Sequence, residues 1–437
     1  MKPDKALTDL IAISRKVGAD AALVQGGGGN TSAKTPDLKA MYVKASGTAL
    51  KDLSLTQGWR RLQRDAVLAV LEDSALSELD AQERESRITS ALAACCDDGM
   101  AGDARPSVES PLHALLDRYV IHIHPVAVNA YTCAKNGQEQ LQRLFARQPD
   151  IPLWVPYADP GYRLAMAVKR AVQAYERLHG KKPAILFLEK HGLFVSAETA
   201  DKTLKLVRHT ITTCAAGLKT APRAATAKVK KEDIAAVKWG LRKAFREATG
   251  RYLAVRHVAD AAATAFAARP DARRLLSAPA MTPDELVYAD GPPLWVEGQD
   301  LPTLGQTLRH LIAQGENAPA SFVVAGVGAF AVGADRALDP VEETVAASLK
   351  VRAAAAGLGG VNALTKRERD FIENWEAERF RRQMAGGSGE GALAGQIALV
   401  TGAGSGLGRS IAQGLVRAGV YAAFLDIDLA AAEEAAA

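Results

Sequence analysis

The chain has 437 residues, 48% hydrophobic and 24% charged, enough for two or three globular domains with sizeable cores. Its formal net charge is only +5, which gives no case for a nucleic-acid partner. No uninterrupted apolar run approaches the roughly 20 residues a helix needs to cross a bilayer, and this argues against a membrane partner.

The first residues, Met-Lys-Pro-Asp-Lys-Ala-Leu-Thr-Asp, are polar and unlike a signal peptide. Of the four cysteines, Cys95 and Cys96 are adjacent and ill placed for an ordinary disulfide, and Cys133 and Cys214 lie in apolar surroundings. With no Cys-x-x-Cys spacing, the thiols read as small buried residues, and the expected compartment is the reducing cytoplasm.

Residues 4–18 carry the apolar spacing of an amphipathic helix. They lead into Gly26-Gly-Gly-Gly-Asn30-Thr-Ser32, where glycine permits close backbone approach and unpaired amides make an anion nest. A strand is expected at 40–45, a turn at Ser46-Gly47-Thr48, and helices over 57–72 and 82–97. Asn30, Ser46 and Ser107 offer neutral donors to a phosphate, and Lys44 offers charge. Four glycines alone, however, read as a plain flexible turn.

The most informative segment is Tyr119-Val-Ile-His122-Ile-His124-Pro125, a short buried strand ended by proline. Side chains two apart on a strand share a face, so both imidazoles can converge on one metal ion. His191 stands in a similar apolar setting, Ile185-Leu-Phe-Leu-Glu-Lys-His-Gly-Leu-Phe-Val195, and Glu109 lies in Pro106-Ser-Val-Glu-Ser-Pro111. Three neutral imidazoles leave a fourth zinc position open, as catalytic sites do. Taken singly, each histidine reads as an ordinary core residue. His113 falls on an expected helix over 111–118, from which it can support the site. A further helix is expected over 198–216, closing an α/β layered domain near residue 220.

Between Lys219 and Arg256 stand eleven Lys or Arg against Glu232, Asp233 and Glu247, a pattern typical of a polar connector and a solvated helix. Beyond it, Ser321-Phe-Val-Val-Ala-Gly-Val-Gly-Ala-Phe-Ala331 echoes 185–195, with Val327 in the place of His191 and Gly328 in that of Gly192. Duplication with loss of the ligand and chance similarity of composition both account for the echo. Met384–Gly391 has the composition of a flexible linker. A strand at 397–400, the turn Thr401-Gly402-Ala-Gly-Ser-Gly406-Leu-Gly408, a helix to about 418 and a strand at 421–425 ending on Asp426 then follow.

The order Gly-Asn-x-Ser, Ser-Gly, Ser-x-Glu, His-x-His, Pro-Tyr and His-Gly through residues 20–217 resembles the class II aldolase/adducin family. The resemblance implies a three-layer α/β/α domain over 1–220 that binds one zinc ion through His122, His124 and His191. It implies a sugar-phosphate site at Gly29, Asn30, Ser46, Gly47 and Ser107, with Glu109 as catalytic acid/base. Tyr157, in Val155-Pro-Tyr-Ala-Asp-Pro-Gly161, matches a tyrosine that reaches a neighbouring subunit's site, which implies a homo-oligomer. Where the family commonly has a second serine before the glutamate, this chain has Val108. Glutamate at that place favours aldolases over the related epimerases, and the retained histidines stand against an adducin-like binding module.

The glycine turn with strand before, helix after and Asp426 beyond resembles the cofactor turn of short-chain dehydrogenases. There Gly402, Gly406, Gly408 and Asp426 imply NAD binding. Together the parts resemble bifunctional class II aldolase/short-chain dehydrogenases, which cleave a ketose 1-phosphate to dihydroxyacetone phosphate and an aldehyde and oxidise the aldehyde. The implied organisation is a second α/β segment over 221–384, a linker over 385–392 and an incomplete Rossmann start over 393–437, in which oxidoreductase chemistry belongs to a longer parent.

Overall fold

A computed structural model describes residues 4–99, 104–218, 229–334, 338–375, 393 and 396–436. The linker expected at 385–392 lies outside these residues.

Seven strands make the first sheet: β1 (Asn30–Lys34), β2 (Ala40–Lys44), β3 (Trp59–Gln63), β4 (Tyr119–Ile123), β5 (Leu153–Val155), β6 (Ile185–Leu188) and β7 (Gly192–Ala197). Their order is β3-β2-β1-β4-β7-β6-β5, antiparallel except for the parallel β5–β6 pair at one edge. The helices of this unit are α1 (Lys5–Gly18), α2 (Arg64–Val70), α3 (Ala75–Glu78), α4 (Ala81–Ala94), α5 (Ser110–Leu115), α6 (Val126–Thr132), α7 (Gly137–Phe145), α8 (Tyr162–His179) and α9 (Ala200–Gly217). Alternation along the strands divides them into two layers. Tyr119, Ile121 and Ile123 of β4 pack with α1, α6, α7 and α9. Val120 packs with α5 and α8, and Met41, Val43 and Leu62 cover α2 and α4. The result is a three-layer α/β/α arrangement, as the family resemblance implies.

One local expectation fails. Residues 59–63, read as the first half of a helix, form strand β3 against β2, and α2 begins only at Arg64. The pairing is long-range: Arg60 reaches Asp98 at 2.8 and 3.0 Å, and the Arg61 guanidinium lies 5.8 Å from the Tyr42 ring centre. Edge pairing of this kind leaves little trace in local periodicity.

The second unit comprises α10 (Lys231–Thr249), β8 (Ala254–His257), α11 (Ala261–Ala267), α12 (Ala272–Leu276), α13 (Pro283–Ala289), β9 (Leu294–Val296), α14 (Leu304–Ala313), β10 (Ser321–Val324), β11 (Gly328–Gly333), α15 (Leu338–Ala355) and α16 (Lys366–Asn374). Although α10 belongs to the basic stretch, it buries Val237, Leu241 and Phe245 with α14 beneath the sheet. The other face carries α11, α12 and α15. Its strand order, β8-β11-β10-β9, repeats β4-β7-β6-β5 of the first sheet, and the pairing senses repeat as well. Phe330 pairs with His257 as Phe194 pairs with His122. His257 therefore stands in the place of His122, Ala259 in that of His124 and Val327 in that of His191.

The two units interlock. Helix α15 packs on α6, and Asn136 and Lys135 donate backbone bonds to Leu358 and Gly360 at 3.1 and 3.0 Å. Arg352 is fully buried in α15 and binds the carbonyls of Leu275, Ala278 and Pro279 at 2.9–3.0 Å and Glu285 at 2.9 Å. It thus pins the segment that leads into α13.

A separate two-stranded sheet, β12 (Ile397–Thr401) parallel to β13 (Tyr421–Leu425), is joined by helix Gly406–Arg417. A last helix, Leu429–Ala436, follows that was not read from the sequence. Ile397, Leu399 and Leu407 there are exposed. Among the described residues no helix is long and apolar enough to cross a membrane.

Because Arg352 and Glu285 form a buried pair, Arg352→Ala should cost roughly 3–5 kcal/mol by stranding the carboxylate. Urea unfolding followed by circular dichroism checks this, and a loss below about 1 kcal/mol would contradict it.

Candidate metal centre

The site lies at one end of the first sheet, where β1 and β7 begin and β2 and β4 end. His122 is the penultimate residue of β4 and shares a face with Val120, its ring stacked on Phe194 at 4.1 Å and 16°. His124 follows two residues on, just past the strand. His191 sits in the tight β6–β7 connection beside Lys190, which takes a left-handed φ of 56°. The three rings form a near-equilateral triangle with centroids 4.8, 5.0 and 5.2 Å apart. One nitrogen from each lies within 4.8 Å of the others.

Hydrogen bonds decide which nitrogens point inward. His122 Nδ1 lies 3.0 Å from the Leu193 carbonyl oxygen, and His124 Nδ1 contacts the Asp284 carboxylate. Both partners only accept, so each Nδ1 carries the proton and each Nε2 keeps its lone pair. Those two Nε2 atoms face each other at 3.1 Å. Two lone pairs at that distance repel unless an electrophile lies between them, and 3.1 Å approximates the gap between imidazoles each about 2.0–2.1 Å from one zinc ion. Burial, and then the neighbouring His124 and His191, push the His122 pKa well below its ordinary value and keep the ring neutral. The donor set therefore fits a divalent metal ion.

Glu109 stands beside the triangle, with its carboxylate 3.6 Å from His122 Nε2 and 3.5 Å from His191 Nε2. It is steered by the Asn30 amide, which also donates to Ser107 Oγ at 3.2 Å. The carbonyl oxygen of that amide contacts His113 Nε2, and His113 Nδ1 lies 2.9 Å from Ser32 Oγ. His113, buried in α5, thus orients Asn30, which in turn orients Glu109.

Two glycines are demanded by this crowding. A Cβ at Gly192 would lie 2.6 Å from His124 Cδ2 and 2.7 Å from the Ile123 carbonyl. At Gly29 (φ 66°), one would lie 2.7 Å from the His122 carbonyl.

Of the residues expected to hold a phosphate, the structure gathers Gly29, Asn30, Ser46, Gly47 and Ser107 at this end of the sheet. An isolated bridge, Ala45 to Pro106, places the Ser46-Gly47 turn against the segment bearing Ser107. Ser46 N donates to Arg105 O at 2.8 Å, and Gly47 has a φ of 79°. Lys44 Nζ donates to Gly27 O at 3.1 Å, tying β2 to the glycine loop. The Asn30 side chain is turned toward Glu109 and His113.

Tyr157 is placed differently. Its hydroxyl donates to Asp159 at 3.5 Å, its ring lies 5.2 Å from Lys190 Nζ, and it lines a cleft with Asp159, Arg163 and Arg367. The phenol's hydrogen-bond partner is thus Asp159 rather than any of the three histidines of its own chain. In the C-terminal unit, Gly402 and Gly406 have φ of 67° and 53°, and a Cβ at Gly408 would collide with the Gly402 carbonyl. Asp426 accepts from Gly404 N at 2.8 Å, so its carboxylate lies across the turn.

Sequence reasoning missed Asp284, Tyr288 and Glu343, all from the second unit. Glu343 accepts from Gly26 N at 2.7 Å, and Tyr288 packs where a side chain on Gly26 or Gly27 would go. The only signal was Thr282-Pro-Asp-Glu285, a helix start, which says nothing about what lies opposite it.

Residues 8–218 match the family profile of the class II aldolase and adducin N-terminal domain, so the N-terminal half of the chain is a class II aldolase/adducin domain. Across 99% of its length the chain is 23% identical to a Bacillus subtilis (strain 168) protein named uncharacterized oxidoreductase YuxG, and it spans 66% of that relative. Among solved structures it is similar to the N-terminal class II aldolase domain of a conserved Thermoplasma acidophilum protein (25% identity, TM-score 0.39, covering 49% of this chain and 94% of that one). It is also similar to YgbL, a putative aldolase/epimerase/decarboxylase from Klebsiella pneumoniae (16%, TM-score 0.34, 49% and 88%). A third likeness is to L-fuculose-1-phosphate aldolase from Thermus thermophilus (17%, TM-score 0.28, 47% and 92%).

Burial pushes His113 down to about 3, so the folded protein holds it neutral where the unfolded chain protonates it below about 6.5. The unfolded state then binds the extra proton, so this contribution to stability is full above pH 6.5 and is lost as pH falls toward 3. Each such histidine contributes a slope of about 1.4 kcal/mol per pH unit. His113→Asn should flatten the slope between pH 6 and 4 by that amount in urea titrations. An unchanged slope would contradict the buried neutral state.

Proposed function

We propose that the chain is a zinc-dependent aldehyde-lyase that cleaves a ketose 1-phosphate to dihydroxyacetone phosphate and an aldehyde. The observation that carries this reading is the three-histidine triangle with Glu109 at its edge, inside a class II aldolase/adducin domain. A zinc ion held by His122, His124 and His191 supplies Lewis-acid polarisation of the substrate's keto oxygen. Glu109 is the acid/base: fixed by Asn30, it returns a proton to the carbon freed when the carbon–carbon bond breaks. Gly29, Asn30, Ser46, Gly47 and Ser107 receive the phosphate through backbone and side-chain donors, and Lys44 adds charge nearby. Val108 provides no hydroxyl. Burial and then Asp159 raise the Tyr157 pKa, so the resting phenol is protonated. In a neighbouring subunit of a homo-oligomer its oxygen would take the proton that the substrate hydroxyl loses on becoming the aldehyde carbonyl, its own proton passing to Asp159. Condensation would run this transfer in reverse.

The C-terminal turn we read as the start of an NAD-binding short-chain dehydrogenase fold. Its geometry around Gly402, Gly406, Gly408 and Asp426, and the relative named an oxidoreductase, support that reading. In the whole protein, a dehydrogenase would then oxidise the aldehyde that the lyase releases. The four cysteines are free thiols, in keeping with a cytoplasmic setting.

Purified protein should contain about one zinc per chain. His122→Ala and His191→Ala should lose both metal and the release of dihydroxyacetone phosphate from a panel of ketose phosphates. Metal-free protein that still cleaves would contradict the reading, and substrate epimerised without cleavage would replace lyase by epimerase. For the NAD site, Asp426→Ala in the whole protein should erode the preference for NAD over NADP. An unaltered preference would remove the aspartate from the cofactor site.

A further inference from the structure

The second unit lacks two of the three histidines at its own equivalent positions, yet it sends side chains into the first unit's site. The geometry points to Asp284 as a positioning residue: its carboxylate accepts a hydrogen bond from His124 Nδ1–H, which keeps the proton on Nδ1 and leaves the His124 Nε2 lone pair facing His122 and His191. The inference rests on the metal centre proposed above and deepens it, because it makes that centre depend on both halves of the chain.

An isolated neutral imidazole exchanges its proton between the two nitrogens, and only one tautomer offers Nε2 to a ligand. For His122 the choice is made within the first unit by the Leu193 carbonyl on the adjacent strand. His124 lies beyond the end of β4, and the acceptor that meets its Nδ1 is the Asp284 carboxylate, 160 residues away in sequence. Both side chains are buried, and the cavity beside them, lined in part by Gln25, Asn129 and Glu285, measures only about 20 Å³. That is room for about one water molecule.

Asp284 is itself held. Thr282 caps α13, Glu285 accepts from Met281 N at 2.6 Å, and Arg352 grips Glu285 at 2.9 Å. Gly28 leaves space for the carboxylate, since a Cβ there would lie 3.2 Å from Asp284 Oδ2 and 3.4 Å from His124 Nδ1. A carboxylate on the outer nitrogen of a metal-binding histidine also raises the basicity of the inner one, and losing such a partner typically weakens metal binding roughly 10–100-fold.

Two readouts on the 437-residue chain test this. Long-range proton–nitrogen NMR of metal-free protein, with the His124 signal assigned through His124→Ala, should show the Nδ1–H tautomer. In Asp284→Ala that tautomer should give way to a mixture. Competition with a chelator should show zinc held roughly 10–100-fold more weakly by Asp284→Ala, with Asp284→Asn in between, because its amide oxygen still accepts. Asp284→Asn keeps the shape of the side chain and is read alone if the alanine variant does not fold. An Nε2–H tautomer in the parent protein, or parental tautomer and zinc affinity in the variants, would overturn the proposal. Should the parent bind no zinc while Asp284→Ala still releases the tautomer, the metal reading falls and the positioning role stands.

Discussion

Two imidazole nitrogens, each with its lone pair directed at the other across 3.1 Å, set the terms for everything around them. Left alone, that arrangement is repulsive, and water would solvate each nitrogen separately. Here the protein forbids both escapes. His124 follows just past the end of β4, Phe194 stacks on the His122 ring, and Gly192 is bare because any side chain would strike His124. The outer nitrogens are bound to obligate acceptors, so neither ring can turn its proton inward to relieve the contact. A cation at the centre converts this frustrated geometry into a favourable one. The surrounding network has the same logic, for His113, Asn30 and Glu109 form a chain of bonds whose end is a carboxylate aimed at the same point.

The two halves of the chain divide the work. The first supplies all three imidazoles, the carboxylate and the glycine turns from one end of a seven-stranded sheet. The second repeats the order and senses of four of those strands but keeps only His257 of the three positions, with Ala259 and Val327 at the others. Its contribution is mechanical. Arg352, deep in α15, fixes the approach to α13, and α13 presents Asp284 to His124 while Glu343 holds Gly26. A unit with the same strand order but without the full set of ligands thus serves as the wall of its neighbour's site.

Much of the first half was legible in the residues themselves. His-x-His in an apolar run ended by proline points to two imidazoles on one side of a strand, and the rings do meet, 4.8 Å apart, although His124 lies just past the end of β4. The glycine at 192 and the acidic residue at 109 were visible as motif members, though not for their physical reasons. The sequence was silent wherever a partner arrived from far away. Nothing at positions 59–63 announces edge pairing with β2, and nothing near Thr282 says that the next acidic residue meets a histidine 160 positions earlier. His113 was placed on the right helix, but its part in orienting Asn30 depends on β1 lying beside α5's buried face. Local chemistry is written locally, whereas the choice of tautomer is written in the packing of one unit on another.

The central claim is that His122, His124 and His191 surround a single ion through their Nε2 atoms. Anomalous diffraction from zinc-loaded crystals, recorded on either side of the zinc absorption edge, tests it directly. The account predicts one strong peak per chain in the first unit, about 2.0–2.1 Å from each of the three nitrogens, and none beside His257. A peak coordinated through any Nδ1 atom, or no peak within the triangle, would contradict it.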